Sequence, residues 1–181
     1  MTYRVLDAYD LWLPLSMLVV ITIMGCGNGQ QKSADNTQGN DAPAIDQRSY
    51  NLGAIGAFGE MVDVGVKTLA LSAALSPVDM DALVKEAARV AKRNNVEIYR
   101  ENDFLVTDLF PASITEGKHV LVIYKGETRQ EYLDLKARKA QLVASNQYTG
   151  EAREEIAHRF GEMLSYPEWK IDELIGKNSS E

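Results

Sequence analysis

The sequence predicts an α/β domain of mixed α+β character, built on a small mixed sheet of about four strands. Three short apolar runs between residues 96 and 125 (VEIY, FLVTDLF and HVLVIYK) have the length and composition of strands. Apolar residues at helical spacing come before this region and return after it. We therefore expect one β-α-β crossover, with C-terminal helices packed on the sheet.

The segment before the sheet is predicted to be a helix over residues 50–64, because its apolar side chains recur at helical spacing. Three glycines recur every third position beside that apolar stripe: Gly53, Gly56 and Gly59. Their spacing fits neither a dinucleotide-binding fingerprint nor a P-loop. We interpret them as a bare helix face that lets another part of the backbone come close.

The predicted crossover begins with a strand over residues 66–72 (VKTLALS). Ser76 and Pro77 then mark a helix start, since serine caps a helix N-terminus and proline fits the first turn. This helix is expected to run to about Arg93, and residues 96–99 form the next strand. A right-handed crossover would make the two strands parallel.

Two further strands complete the predicted sheet. Residues 104–110 are expected to return antiparallel and to end at Pro111, which cannot donate a ladder hydrogen bond. Residues 120–124 are apolar without alternation, which predicts a strand covered on both faces. Helical segments are then expected to begin near Thr128, Thr149 and Pro167.

The N-terminal part carries a different pattern. Residues 11–24 (LWLPLSMLVVITIM) are almost wholly apolar; this is short for a membrane span of about 20 residues but suits the core of a secretory signal, about 7–15 residues. The tetrapeptide IMGC that ends at Cys26 resembles the lipobox of bacterial lipoproteins. The resemblance implies a signal peptide over residues 1–25 and a lipid on Cys26, the only cysteine. The alternative is an uncleaved short anchor helix or a buried helix.

The remaining chain divides by composition. Residues 26–49 carry the lipidated cysteine and a linker rich in Gly, Gln, Asn, Ser and Asp, which we expect to be disordered. One globular domain is predicted over residues 50–176, and residues 177–181 form a tail. This organisation predicts a protein of the cell envelope, attached to a membrane by lipid, with its domain facing the periplasm or the exterior.

Charge and motifs exclude several functions. The net charge is −7 without a basic stripe, which argues against nucleic acid as a partner. The two histidines, His119 and His158, lack metal-ligand spacing, so we predict no metal site and no cofactor. No GxSxG elbow marks a serine nucleophile.

One acidic residue interrupts an apolar run. Asp108 follows Thr107 inside FLVTDLF, and a carboxylate there must reach water or a partner because an isolated buried charge is costly. In a functional interpretation, Asp108 faces a pocket with Thr107, Tyr99 or Lys125 and binds a polar ligand or moves a proton. In a structural one, it faces solvent or pairs with a lysine or arginine.

Two functions follow from these patterns. The anchor, the linker and the lack of a catalytic set favour an envelope lipoprotein whose domain binds a small molecule or another envelope protein. The alternative is a small hydrolase-like envelope enzyme that uses carboxylate and hydroxyl groups at strand ends. Whether the protein is an enzyme stays open at this point.

Overall fold

The computed structural model describes residues 44–178. Within that range the fold is mixed α+β, with five helices and a three-stranded antiparallel sheet. In chain order the elements are α1 (Gln47–Asp63), β1 (Leu69–Leu71), α2 (Pro77–Arg93), β2 (Glu97–Glu101), a 3-10 turn (Ala112–Ile114), β3 (Val120–Tyr124), α3 (Thr128–Ala144), α4 (Gly150–Met163) and α5 (Glu168–Asn178).

The predictions for the N-terminal part of the chain concern mostly residues that the structure does not describe. The signal peptide, Cys26 and most of the linker lie outside the described residues. No helix within residues 44–178 combines the length and the apolar character that crossing a bilayer requires.

The strand β3 lies at the centre of the sheet, in the order β1-β3-β2. It pairs antiparallel with both neighbours, so that Leu69 and Glu97 both stand opposite Tyr124. Two consequences differ from the predicted topology. The sheet has three strands rather than about four, and a crossover between paired strands is not confirmed, since β3 separates β1 from β2.

The two faces of the sheet carry separate cores. Successive residues of a strand point to opposite faces. Val120, Val122 and Tyr124 join a core formed with side chains of α3, α4 and α5. Leu121 and Ile123 join a second core with side chains of α1 and α2. All five residues of β3 are buried, which confirms the prediction of a strand covered on both faces.

Local capping signals set the helix ends. The predicted start of α2 is confirmed: the Ser76 hydroxyl accepts a hydrogen bond from the Asp79 amide at 3.2 Å, and the helix ends at Arg93. The helix α1 begins earlier than residue 50, because the Asp46 carboxylate accepts from the Arg48 amide at 3.2 Å and caps it.

Two glycines allow close helix contacts. A Cβ at Gly59 would lie 3.2 Å from the Asn94 Cβ and one at Gly56 3.5 Å from Cγ1 of Val90, whereas one at Gly53 would meet nothing within 4 Å. Two of the three glycines predicted to form a bare face therefore face α2. A Cβ at Gly161 would lie only 2.6 Å from Cγ1 of Ile171. The helices α4 and α5 therefore approach as they do because residue 161 lacks a side chain.

The predicted strand over residues 104–110 is wrong. These residues form an irregular segment, largely buried, which we call the buried loop. Buried backbone groups need hydrogen-bond partners, and here side chains of distant helices supply several of them. The Leu105 amide donates to the Tyr132 hydroxyl at 3.2 Å, and Lys139 Nζ donates to the Val106 carbonyl. Asn178 Nδ2 donates to the Asp108 and Leu109 carbonyls at 3.1 and 3.0 Å.

Candidate functional site

The four site residues proposed from the sequence do not form one group. Thr107 and Asp108 lie side by side on the buried loop and line the same cavity. Tyr99 lies on β2, where the Arg129 guanidinium carbon stacks 4.6 Å from the centre of its ring. Lys125 follows β3 and pairs with Asp63, with 2.6 Å between Nζ and Oδ1. The structure therefore brings two of the four together.

The cavity beside Thr107 and Asp108, which we call the loop cavity, measures about 360 Å³. The cavity is lined by several separate segments: the buried loop, the turn after it, α3, the α3–α4 connection, α4 and the end of α5. Besides Thr107, its polar lining residues are Asp108, Ser113, Lys139, Tyr148, Arg153 and Asn178. Side chains that are far apart in the sequence thus converge on one space.

The carboxylate of Asp108 is held by an arginine. Asp108 is only 7% exposed, and its Oδ1 accepts a hydrogen bond from Arg153 Nη2. This hydrogen bond raises the pKa of Arg153. A carboxylate at this depth would be costly without such a partner. The pairing with a basic residue matches the structural interpretation made from the sequence, while the position beside a cavity matches the functional one.

The second cation at the cavity is Lys139. Its ammonium lies 5.1 Å from the centre of the Tyr148 ring, and burial lowers the pKa of Lys139. Within residues 44–178, no carboxylate forms a salt bridge with it. Burial also raises the pKa of Tyr148, and the negative charge of Asp108 acts in the same direction. Lys139 is therefore a partly desolvated cation without a paired anion in the described part of the chain.

Five polar residues of the cavity are not singled out by the sequence: Ser113, Lys139, Tyr148, Arg153 and Asn178. In the sequence Arg153 stands in a charged stretch, residues 153–162, whose composition is that of a solvated helix face. Arg159 of the same stretch is exposed and lies 4.0 Å from Glu155. Asn178 falls in the predicted C-terminal tail, yet α5 extends to it. The available sequence signal was weak, since charged helix residues usually face water.

A second buried carboxylate lies at the end of β2. Glu101 is 1% exposed; its Oε2 accepts from the Tyr132 hydroxyl at 3.1 Å, and its Oε1 accepts from the Asp103 amide at 2.8 Å and from Lys136 Nζ at 3.1 Å. Burial raises the pKa of Tyr132 far above its ordinary value. Burial alone would lower the pKa of Lys136, but hydrogen bonds to Asp103 and Glu101 outweigh it and raise the pKa. Because the Glu101 carboxylate has hydrogen-bond partners within the protein, we interpret this cluster as stabilising the fold.

The histidines have protein partners of their own. The Nδ1 atom of His119 accepts a hydrogen bond from Arg100 Nε at 2.9 Å. The Nε2 atom of His158 lies 3.2 Å from Asp172 Oδ1. Neither histidine lines the loop cavity, and residues 44–178 contain no group of three side chains able to hold a metal ion.

The chain was also compared with known proteins. No protein-family model, no curated protein and no solved structure matches it. Within the described residues, the loop cavity is where the polar side chains of several separate segments converge.

Proposed function

We propose that this protein is an envelope lipoprotein, attached to a membrane by lipid on Cys26, whose domain binds a small molecule in the loop cavity. One observation carries the proposal: Asp108, Lys139, Arg153 and Asn178 come from separate segments and meet at one cavity of about 360 Å³. Ligand sites in proteins typically combine such a volume, about 300–1,000 Å³, with a few convergent polar groups.

Binding fits the cavity better than catalysis does. The Asp108 carboxylate is engaged with Arg153, and the Thr107 hydroxyl accepts a hydrogen bond from the Leu109 amide at 3.3 Å. A hydrolase would need a base within reach of the proton that it removes, and the one carboxylate of this lining is already paired. Thr107 and Asp108 also lie in a loop, whereas the enzyme hypothesis placed them at a strand end.

Membrane attachment is supported by the apolar run over residues 11–24 and the lipobox-like ending at Cys26. Each buried methylene of an acyl chain adds about 0.8 kcal/mol of membrane affinity, so two or more chains hold a protein firmly on a bilayer. A flexible linker after the cysteine would let the domain reach ligands away from the lipid surface.

The anchor is tested with the variant Cys26→Ser expressed in a bacterial host. We expect the protein to lose metabolic labelling by a palmitate analogue and to move from the membrane fraction to the soluble fraction, because the acylated thiol is gone. The control is the double variant Cys26→Ser with Ser33→Cys, which restores a thiol outside the lipobox and should also stay unlabelled. Full membrane retention of Cys26→Ser, with Met1 still present by mass spectrometry, would show that the apolar segment itself is the anchor.

The binding function is tested by filling the cavity. Ser113 is exposed and lines the loop cavity, so Ser113→Trp should occupy the space without disturbing either core. The full chain in detergent is incubated with a metabolite extract, freed of unbound compounds, and analysed by mass spectrometry. We expect compounds that the wild-type chain retains to be lost from Ser113→Trp, by about tenfold or more in affinity.

The matched control is Glu116→Trp, an exposed residue two positions after the 3-10 turn that does not line the loop cavity. This variant should retain the same compounds as the wild-type chain. The proposal fails if the wild-type chain retains nothing, or if Ser113→Trp retains the compounds as well as Glu116→Trp does.

A further inference from the structure

We infer that the ligand of the loop cavity is a small organic monoanion, a carboxylate joined to a compact apolar or aromatic group, and that Lys139 is its principal binding residue. This inference rests on the proposed binding function of the cavity. Three features of the lining support it: the charge balance, the hydrogen-bond donors that remain free and the shape of the apolar wall.

The charge balance of the lining is positive. Its charged residues are Asp108, Lys139 and Arg153. Asp108 and Arg153 form an ion pair with each other, which leaves the charge of Lys139 in excess. One anionic group on the ligand would make the occupied cavity neutral. A monoanion is therefore the complement of this lining.

Lys139 gains from such a partner because it has lost part of its hydration. Its side chain is half-buried between the Val106 carbonyl and the Tyr148 ring. Charges removed from water are normally paired, and within residues 44–178 Lys139 has no carboxylate in a salt bridge. An ammonium has three donors, and the bond to Val106 uses one of them. The other two are available to a ligand carboxylate.

The other polar groups also favour a ligand rich in acceptors. Arg153 has five N–H groups, and the one nitrogen that binds Asp108 is Nη2. Its side chain is 44% exposed, so N–H groups remain accessible from the cavity side. The Ser113 and Tyr148 hydroxyls add two more donors to the lining. A carboxylate only accepts hydrogen bonds and so matches this set.

The rest of the lining is apolar. Val106, Phe110 and Pro111 form part of the wall, together with the ring of Tyr148. A volume of about 360 Å³ lies at the small end of ligand sites. It accommodates a ring or a short branched chain beside the carboxylate, with the ring packed on Phe110 or Tyr148.

The test uses three probes of one shape and different charge: phenylacetate, phenylacetamide and phenethylamine. Each is titrated into the full chain in nanodiscs of uncharged lipid, and binding is read from the amide NMR shifts of Ser113 and Asn178. We expect phenylacetate to bind about tenfold more tightly than phenylacetamide, because charge-assisted hydrogen bonds are the stronger ones. Phenethylamine should bind more weakly still.

The role of Lys139 is tested by Lys139→Gln, which keeps a donor for the Val106 carbonyl but removes the charge. Phenylacetate affinity should fall about tenfold, while phenylacetamide affinity changes little. Lys139→Arg, which keeps the positive charge, should retain most of the wild-type affinity for phenylacetate. The control is Arg138→Gln, which removes the same charge from the neighbouring, exposed position of α3 and should leave all three affinities unchanged.

The outcomes separate this inference from the proposed function. Equal or tighter binding of phenylacetamide or phenethylamine at Ser113 and Asn178 overturns the anion inference and leaves a binding cavity. Absence of binding by all three probes overturns it as well. Metabolite retention that Ser113→Trp does not change removes the proposed function itself. If the buried-loop amides of Lys139→Gln shift without ligand, the probe series on the wild-type chain decides.

Discussion

The variant Phe160→Ala is expected to lose about 3–5 kcal/mol of unfolding free energy, the usual cost of removing a fully buried phenylalanine. Phe160 is 0% exposed and packs against three aromatic rings: Phe104 at 5.7 Å, Tyr132 at 6.0 Å and Phe110 at 6.4 Å between ring centres. Two of these rings belong to the buried loop. The measurement is urea denaturation of the full chain followed by circular dichroism.

The aromatic contacts make a second readout informative. Phe104 and Phe110 pack against Phe160. In Phe160→Ala, hydrogen exchange of the buried-loop amides should therefore speed up more than that of the β3 amides. The control is Phe58→Ala on α1, which removes the same side chain from a half-buried position in the other core and should cost clearly less. Equal losses in the two variants would contradict the central role assigned to Phe160.

The variant Glu101→Ala is expected to cost about 3 kcal/mol, because it removes charge-assisted hydrogen bonds and leaves buried groups without partners. The Tyr132 hydroxyl and the Asp103 amide both lose their acceptor, and Lys136 loses one of its two carboxylates. Urea denaturation of the full chain measures the loss. We also expect the proton signals around Tyr132 to broaden as the start of the buried loop loosens.

A residue on the same strand provides the control. Glu97 is exposed and accepts a hydrogen bond from the Tyr124 hydroxyl at 3.0 Å, so Glu97→Ala should cost less than about 1 kcal/mol. A loss of similar size in the two variants would mean that strand β2, rather than the buried cluster, governs the effect. Wild-type stability of Glu101→Ala would refute the structural role of Glu101.

Local signals explain what the sequence predicted correctly. Ser76 and Pro77 define the start of α2 because capping is a contact within one helical turn. The apolar run over residues 120–124 indicates burial on both faces because successive side chains of a strand point to opposite faces. Both inferences need only neighbouring residues.

Distant partners explain what was missed. Residues 104–110 carry the apolar pattern of a strand, yet Tyr132, Lys139 and Asn178 satisfy their backbone. These residues lie far along the chain, so no local pattern reveals them. The position of β3 between β1 and β2 is equally a matter of long-range pairing.

The candidate site was also predicted only in part, because local signals identify some of its residues and not others. The cost of burying a carboxylate singled out Asp108, and the structure places it beside a cavity. The grouping of Lys125 and Tyr99 with it depends on residues 104–110 being a strand of the same sheet, and the irregular loop removes that condition. Arg153 and Lys139 were overlooked because charged helix residues look alike whether they face water or a cavity.

The central position of β3 also sets the order in which the molecule can assemble. Neither β1 nor β2 has a pairing partner until the chain has been synthesised as far as Tyr124. The first half of the domain therefore has no sheet until that point. Once β3 is in place, α1 and α2 can pack on one face of the complete sheet, while the other face stays open until α3, α4 and α5 have followed.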